Sequence, residues 1–62
     1  MERIVGYVEH NGEEYEIKYN TDDAEINYRK VGSSSWFPCC TGPNDDWHIK
    51  KNVLGFLRVK GL

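Results

Sequence analysis

Long hydrophobic runs are missing from this chain of 62 residues. No segment approaches the ~20 apolar residues that cross a bilayer. The N-terminal segment turns polar at Glu9 before it forms an apolar stretch of signal-peptide length. The sequence therefore predicts neither a membrane partner nor secretion, and we expect a cytoplasmic protein.

Cysteine is equally scarce, since Cys39 and Cys40 are the only two and are adjacent. Neighbouring residues close a disulfide only with strain because their Cβ atoms diverge. Structural zinc sites space their paired cysteines a few residues apart, so adjacent thiols form a poor chelate even with His48 as a third ligand. We expect two reduced thiols, no metal and no cofactor.

Catalytic motifs are missing as well. The six glycines are scattered and form no phosphate-binding loop or nucleotide fingerprint. Acidic pairs such as Asp22-Asp23 are adjacent in sequence, so their side chains point apart and suit turns better than a two-carboxylate site. A chain of this length also has little room for a ligand pocket of ~300–1,000 Å³ beside its own core. The sequence does not predict an enzyme.

The composition is that of one small folded domain spanning residues 1–62. Hydrophobic residues make up 39% of the chain and charged residues 29%, which is outside the range of disordered chains. The net charge is −2 at pH 7, which disfavours general attraction to nucleic acid. We expect an α+β domain with a single small core.

Asn11-Gly12 is the strongest local indication of structure. This dipeptide suits the two positive-φ positions of a tight hairpin turn, and alternating apolar residues flank it. A two-residue loop pairs apolar residues on one face of the hairpin: Val8 with Tyr15, Gly6 with Ile17 and Ile4 with Tyr19. We expect these side chains to face the core.

A second turn at residues 20–23 extends this face to a third strand. The expected apolar pairs are Tyr19 with Ala24, Ile17 with Ile26 and Tyr15 with Tyr28. The expected pairs of opposite charge on the other face are Lys18 with Glu25 and Glu14 with Arg29. The predicted strands, at about residues 3–9, 13–19 and 24–31, form a three-stranded antiparallel meander.

Residues 32–46 are predicted to be a loop. Its prolines argue against a central strand, although residues 33–37 can add a short fourth strand at the edge of the sheet. Trp36 and Phe37 are the most prominent side chains here, and they either close over the core as a lid or anchor a partner. We expect Trp36 to be largely exposed in the monomer and buried at an interface.

Residues 45–60 are predicted to be a helix packed on the sheet. Asn44 or Asp45 can cap its start, and Gly61 suits the position after its last turn. The apolar residues that cluster on one side are Ile49, Val53, Phe56 and Leu57. Gly55 and the alternating segment after it leave a terminal pair of strands as an alternative, which would make the domain a small all-β barrel.

The distribution of charge leads to a first functional hypothesis. Residues 1–31 carry four basic and eight acidic side chains, whereas residues 32–62 carry four basic and two acidic ones. We expect an accessory or regulatory module that binds another protein or a second copy of itself, for example an inhibitor that presents an acidic sheet face and an aromatic loop. The expected contact residues are Trp36, Phe37, Glu14, Glu16 and Glu25.

The alternative hypothesis is a protein that binds single-stranded nucleic acid. An exposed ring on a sheet can stack on bases, and the chain from Trp47 onward carries four basic residues and no acidic one. The expected contact residues are Tyr7, Arg29, Lys51 and Arg58. The acidic residues around Tyr7 repel phosphates, so this hypothesis ranks second.

Overall fold

Four antiparallel strands and one C-terminal helix make up the computed structural model, which describes residues 1–61. The elements are β1 (Glu2–His10), β2 (Glu13–Asn20), β3 (Glu25–Lys30), β4 (Phe37–Thr41) and α1 (Asp46–Lys60). The strands follow one another in the order β1-β2-β3-β4. The predicted α+β class is confirmed, and the barrel alternative is wrong because the sheet is open.

The core lies between α1 and one face of the sheet, which we call the inner face. The sheet contributes Val5, Val8, Tyr15, Ile17, Tyr19, Ile26 and Tyr28, and the helix contributes Ile49, Val53 and Leu57. Strand residues alternate between faces, whereas helix residues three and four apart share a side. The two apolar patterns in the sequence therefore meet in one core.

The first hairpin turns at Asn11 and Gly12 as predicted. Both residues have positive φ, 51° and 78°, as a tight two-residue turn requires. Val8 pairs with Tyr15, so this part of the predicted register is confirmed.

A β-bulge near Gly6 changes the register toward the N-terminus. Ile4 pairs with Lys18 and not, as predicted, with Tyr19. The extra residue turns Val5 into the core, where it is 9% exposed, and leaves Ile4 53% exposed on the outer face. A bulge inserts one unpaired residue and so reverses which side chains face inward.

The second hairpin pairs two residues away from the predicted register. The observed pairs are Tyr15 with Lys30, Glu16 with Arg29, Ile17 with Tyr28, Lys18 with Asn27, Tyr19 with Ile26 and Asn20 with Glu25. The predicted pairs of Tyr19 with Ala24, Ile17 with Ile26, Tyr15 with Tyr28, Lys18 with Glu25 and Glu14 with Arg29 are therefore wrong. A shift of two residues keeps every side chain on its face, so the core residues of β2 and β3 are unchanged.

The shift arises because the four-residue loop lies at residues 21–24, one residue later than the predicted turn at residues 20–23. Side chains within the loop accept backbone hydrogen bonds, with Asn20 Oδ1 accepting from Asp22 N at 2.9 Å and Asp23 Oδ1 from Glu25 N at 3.0 Å. Ala24 adopts a φ of 59° to close it. Such local bonds offer the backbone an alternative to further pairing.

The fourth strand occupies residues 37–41 and not 33–37, so the predicted loop over residues 32–46 is wrong in this part. Pro38 pairs with Asn27, next to a second register shift. A proline is tolerated on an edge strand, where its missing N–H leaves no gap between two strands. The proline rule correctly excluded a central strand and permitted this edge strand.

The helix confirms the predicted boundaries, and the alternative terminal strands are wrong. Asp45 caps the first turn, with its carboxylate accepting from His48 N at 3.0 Å. Gly61 ends the helix with a left-handed φ of 75° and donates to Arg58 O at 3.2 Å. Among residues 1–61, no helix is long and apolar enough to cross a membrane.

Arg3 ties the start of α1 to the first strand. Its guanidinium donates to Asn44 Oδ1 at 2.6 Å and to Asp46 Oδ1 at 2.7 Å. A guanidinium presents several donors in a fixed plane, so one side chain holds two residues at the helix start. The contact fixes the N-terminal end of α1 beside β1.

Two glycine-to-alanine substitutions should change stability in opposite directions. Gly6 has a φ of 145°, which a Cβ disfavours, so Gly6→Ala should lower the free energy of unfolding by ~1–3 kcal/mol. Gly55 lies within α1 with open space around it, so Gly55→Ala should raise it by ~0.5–1 kcal/mol. Urea denaturation followed by circular dichroism measures both, and equal signs would contradict the backbone assignment.

The helix cap should make stability depend on acid pH. Hydrogen bonds from the His48 backbone and side chain lower the pKa of Asp45 below its ordinary value of 3.8. The stabilisation is complete above that value and is lost as the pH falls through the lower folded-state pKa. Asp45→Asn keeps a capping oxygen that does not titrate, so its thermal midpoint should fall less between about pH 6 and about pH 2.5. Identical pH slopes for the two proteins would show that this carboxylate is not linked to folding.

Candidate binding surfaces

Trp36 lies on the outer face of the sheet, which is the face turned away from α1. Lys18 Nζ lies 4.5 Å from the ring centre and Arg29 Cζ lies 4.6 Å from it. Cations over an aromatic face are attracted by its quadrupole, and the indole is half-buried between them. The expectation that Trp36 is largely exposed in the monomer is therefore wrong, and Trp36 acts as a lid on the outer face.

Glu16 lies at the centre of an ion-pair network beside Trp36. Its Oε1 accepts from Arg29 at 2.7 Å and its Oε2 accepts from the Tyr7 hydroxyl at 3.3 Å. The Glu16 side chain is only 12% exposed. The centre of the expected acidic face is therefore neutralised within the molecule.

The other two predicted glutamates lie around this network. Glu25 Oε1 accepts from Asn27 Nδ2 at 3.1 Å, while Glu14 is exposed. Glu14 is the nearest of the three to the first turn, where it pairs with Glu9 across the hairpin. The structure thus places all three glutamates on the outer face, with Glu14 the most accessible.

Phe37 projects toward the inner face and remains 51% exposed. Its ring centre lies 5.9 Å from that of Tyr28, which also contacts Tyr15 at 6.0 Å and Phe56 at 5.6 Å. The rings of Tyr15, Tyr28 and Phe37 border a groove of about 430 Å³. We call it the aromatic groove, and its lining residues are Tyr15, Tyr28, Lys30, Ser33 and Phe37.

Tyr28 forms the floor of the aromatic groove. Burial raises the pKa of its hydroxyl, and the nearby Cys39 and Tyr15 raise it further. The phenol is therefore protonated at neutral pH, since the ordinary value is already 10.0.

Cys39 and Cys40 pack against the core, with their sulfur atoms 3.2 Å apart. Burial raises the pKa of Cys39 to about 12, and the contact with Cys40 adds to this. Both thiols are free and half-buried. Because the thiolate is the reactive form, Cys39 serves packing better than chemistry at neutral pH.

His48, the third ligand considered for a metal, contacts Asp45 at 2.6 Å. Within residues 1–61 no group of three or more His, Cys, Asp or Glu side chains is arranged to hold a metal ion.

A second surface runs along α1 on the side that borders β1. A groove of about 320 Å³ is lined there by Trp47, Lys50, Lys51, Leu54 and Arg58, which we call the basic stripe. Lys51 Nζ lies 4.9 Å from the Trp47 ring centre, and Trp47 is 63% exposed. Two of the residues predicted for nucleic-acid binding, Lys51 and Arg58, meet here.

The other two residues of that prediction lie elsewhere. Tyr7 and Arg29 are both bound to Glu16 on the outer face, whereas α1 packs on the inner face. The sheet therefore separates the two pairs. The four residues do not form one surface.

Sequence reasoning missed the residues that complete both surfaces. The sequence predicts Tyr15 and Tyr28 only as core residues, and in the structure they also line the aromatic groove. Trp47 and Leu54 line the basic stripe and are not among the predicted contact residues. Their separation of seven residues, equal to that between Lys51 and Arg58, is the sequence feature that could have grouped them.

Comparison of the chain with protein-family models, curated proteins and solved structures finds no match.

Trp36 should contribute more to stability than the more exposed Trp47. Trp36→Ala removes two cation–ring contacts, worth ~0.5–1 kcal/mol each, so we expect the free energy of unfolding to fall by ~1–2 kcal/mol. Trp47→Ala is the matched control: it removes one solvated cation–ring contact, with Lys51, and alanine's helix preference offsets part of that loss, so it should change the free energy of unfolding by at most ~0.5 kcal/mol. Urea denaturation measures both, and an equal loss would contradict the lid.

Proposed function

We propose that this chain is a small, non-enzymatic accessory or regulatory module that binds another protein through the aromatic groove. The observation that carries the proposal is the ring of Phe37, which is half exposed and packed on Tyr28 at the edge of a groove of about 430 Å³. Binding hot spots are enriched in aromatic side chains that become buried when the two proteins associate. An apolar side chain of the partner would complete the ring cluster.

The groove is well preorganised for such a contact. Tyr15 and Tyr28 belong to adjacent strands and are 7% and 8% exposed, so their rings are held by the core before a partner arrives. A rigid site loses little conformational entropy on binding. The rim is polar, because Lys30 Nζ lies 3.7 Å from Glu13 at one side and Ser33 lies at the other.

Trp36 supports this surface indirectly. The contacts of the Trp36 ring with Lys18 and Arg29 hold the chain one residue before Phe37. They therefore limit the movement of the Phe37 backbone. In this proposal Trp36 positions the contact residue, and Phe37 makes the contact.

The outer-face glutamates give weaker support to the hypothesis that the chain is an inhibitor whose acidic face imitates an anionic ligand. Glu16 is neutralised by Arg29, which leaves Glu14 and the partly bonded Glu25 to attract a basic partner. Exposed charges of this kind affect the rate and orientation of association more than its strength. We therefore assign the binding energy to the groove and the steering to these carboxylates.

Single-stranded nucleic-acid binding is the alternative function. It has less support because Tyr7 and Arg29 are engaged with Glu16 and lie across the sheet from Lys51 and Arg58. A base stacked on Tyr7 would approach a face that carries several carboxylates, which repel its phosphates.

Photo-cross-linking from the groove tests the proposed function. Benzoylphenylalanine would replace Phe37 in the chain produced in its native cells, with the same group at Val59 as control. Val59 is 88% exposed and does not line the groove. We expect a protein that cross-links from position 37 and not from position 59.

Binding of the purified partner then decides the role of Phe37. Phe37→Ala should weaken binding tenfold or more, which is ~1.4 kcal/mol, while leaving the urea midpoint near that of the unsubstituted chain. Unchanged affinity, or the same cross-linked proteins from both positions, would refute the groove as the binding surface. A second copy of this chain in the cross-link would identify a homodimer.

A further inference from the structure

We propose that the basic stripe is a second docking surface, which takes an acidic amphipathic helix of a partner protein. This inference is independent of the aromatic groove and adds to the proposed function. The observations behind it are the spacing of side chains along α1, their exposure and, within residues 1–61, the absence of ion-pair partners for their charges.

The spacing along α1 matches helix-to-helix packing. Trp47 and Leu54 are seven residues apart, and Lys51 and Arg58 follow each of them by four. Apolar residues at heptad spacing with charges beside them are the arrangement by which paired helices select a partner. From Trp47 to Arg58 the stripe is about 16 Å long at ~1.5 Å per residue, which is enough for two such repeats.

The stripe and the aromatic groove lie on opposite sides of α1. The end of the Lys50 side chain lies 3.2 Å from the position of a Cβ at Gly6 in β1. Phe56, on the other side of the helix, contacts Tyr28 in β3. A partner on the stripe would therefore leave the groove open, and the chain could hold two partners at once.

The charges of the stripe have no counterpart in the described part of the chain. The sheet cations all form ion pairs with carboxylates: Arg3 with Asp46, Lys18 with Glu2, Arg29 with Glu16 and Lys30 with Glu13. Within residues 1–61, none of Lys50, Lys51 and Arg58 does so. Carboxylates on a partner helix would supply the missing charge.

The apolar residues of the basic stripe favour a protein helix over a nucleic acid as its partner. Leu54 lies in the middle of the stripe, between Lys51 and Arg58. It is half-buried against the core, and its exposed part offers no interaction to a phosphate. The whole chain is acidic, with a net charge of −2, and a phosphate backbone is bound by many cations acting together. An amphipathic helix with an apolar centre and acidic flanks satisfies both parts of the surface.

A designed peptide provides the probe. It is a fluorescein-labelled amphipathic helix of about three heptads, with leucine at the a and d positions and glutamate at e and g. The control peptide has lysine at e and g. Fluorescence anisotropy at low and high salt should detect binding of the glutamate peptide only, with weaker binding at high salt.

Variants of the chain assign the binding to the stripe. Lys51→Glu combined with Arg58→Glu should weaken binding of the glutamate peptide at least tenfold, and Leu54→Ala should weaken it severalfold. Lys60→Glu is the matched control, because Lys60 lies over Phe56 on the other side of α1, and it should leave affinity within twofold. Circular dichroism melts check that each variant is folded.

Several outcomes would overturn the proposal. Equal binding of both peptides, or equal loss with Lys60→Glu, would remove the charge argument. Binding of a labelled oligothymidine that Lys51→Glu and Arg58→Glu abolish, without binding of the glutamate peptide, would assign the stripe to nucleic acid. Sedimentation that shows a dimer broken by the same variants would assign it to a second copy. A Phe37→Ala variant that still binds the peptide separates this result from the groove.

Discussion

The contact between one apolar side of α1 and the inner face of the sheet holds this domain together. The side chains without measurable exposure are Ile17, Ile26, Ile49, Val53 and Leu57, from two central strands and the helix. A chain of this length has no material for a second core. The Asp45 cap and the Arg3 contact are solvent-exposed and therefore individually weak, so they depend on this packing.

Both candidate surfaces follow from covering four strands with a single helix. The helix does not cover the far edge of the inner face, where Phe37 remains 51% exposed beside the buried Tyr28. The opposite side of α1, with Trp47 and Lys51, faces solvent beside β1. The aromatic groove and the basic stripe thus lie on the two sides of the single helix that covers the sheet. A module with two separate binding surfaces is suited to linking two partners, and this linkage is the regulatory role that we propose.

Among residues 1–61, no second layer of helices or strands covers the outer face. Side chains of the sheet and of Trp36 shield it from water instead. Trp36 lies between Lys18 and Arg29, and Arg29 also binds Glu16. A tryptophan ring can cover the strands beneath it while the charged groups of the neighbouring lysine and arginine side chains stay in contact with water. This arrangement gives Trp36 a structural role and leaves Phe37, its neighbour, as the exposed aromatic residue.

The sequence by itself determined the elements whose causes are local. Alternation of apolar residues defined the inner face of β2 and β3, Asn11-Gly12 defined the first turn, and Asp45 and Gly61 defined the helix ends. The tertiary structure decided the rest. The two-residue shift of β3, for example, keeps the same face buried, so the apolar pattern could not distinguish the two registers. The side on which Trp36 lies, and the meeting of Tyr15, Tyr28 and Phe37 from three strands, depend on contacts between residues far apart in the sequence. Side-chain periodicity is a property of short segments, whereas a binding surface is a property of how the segments pack.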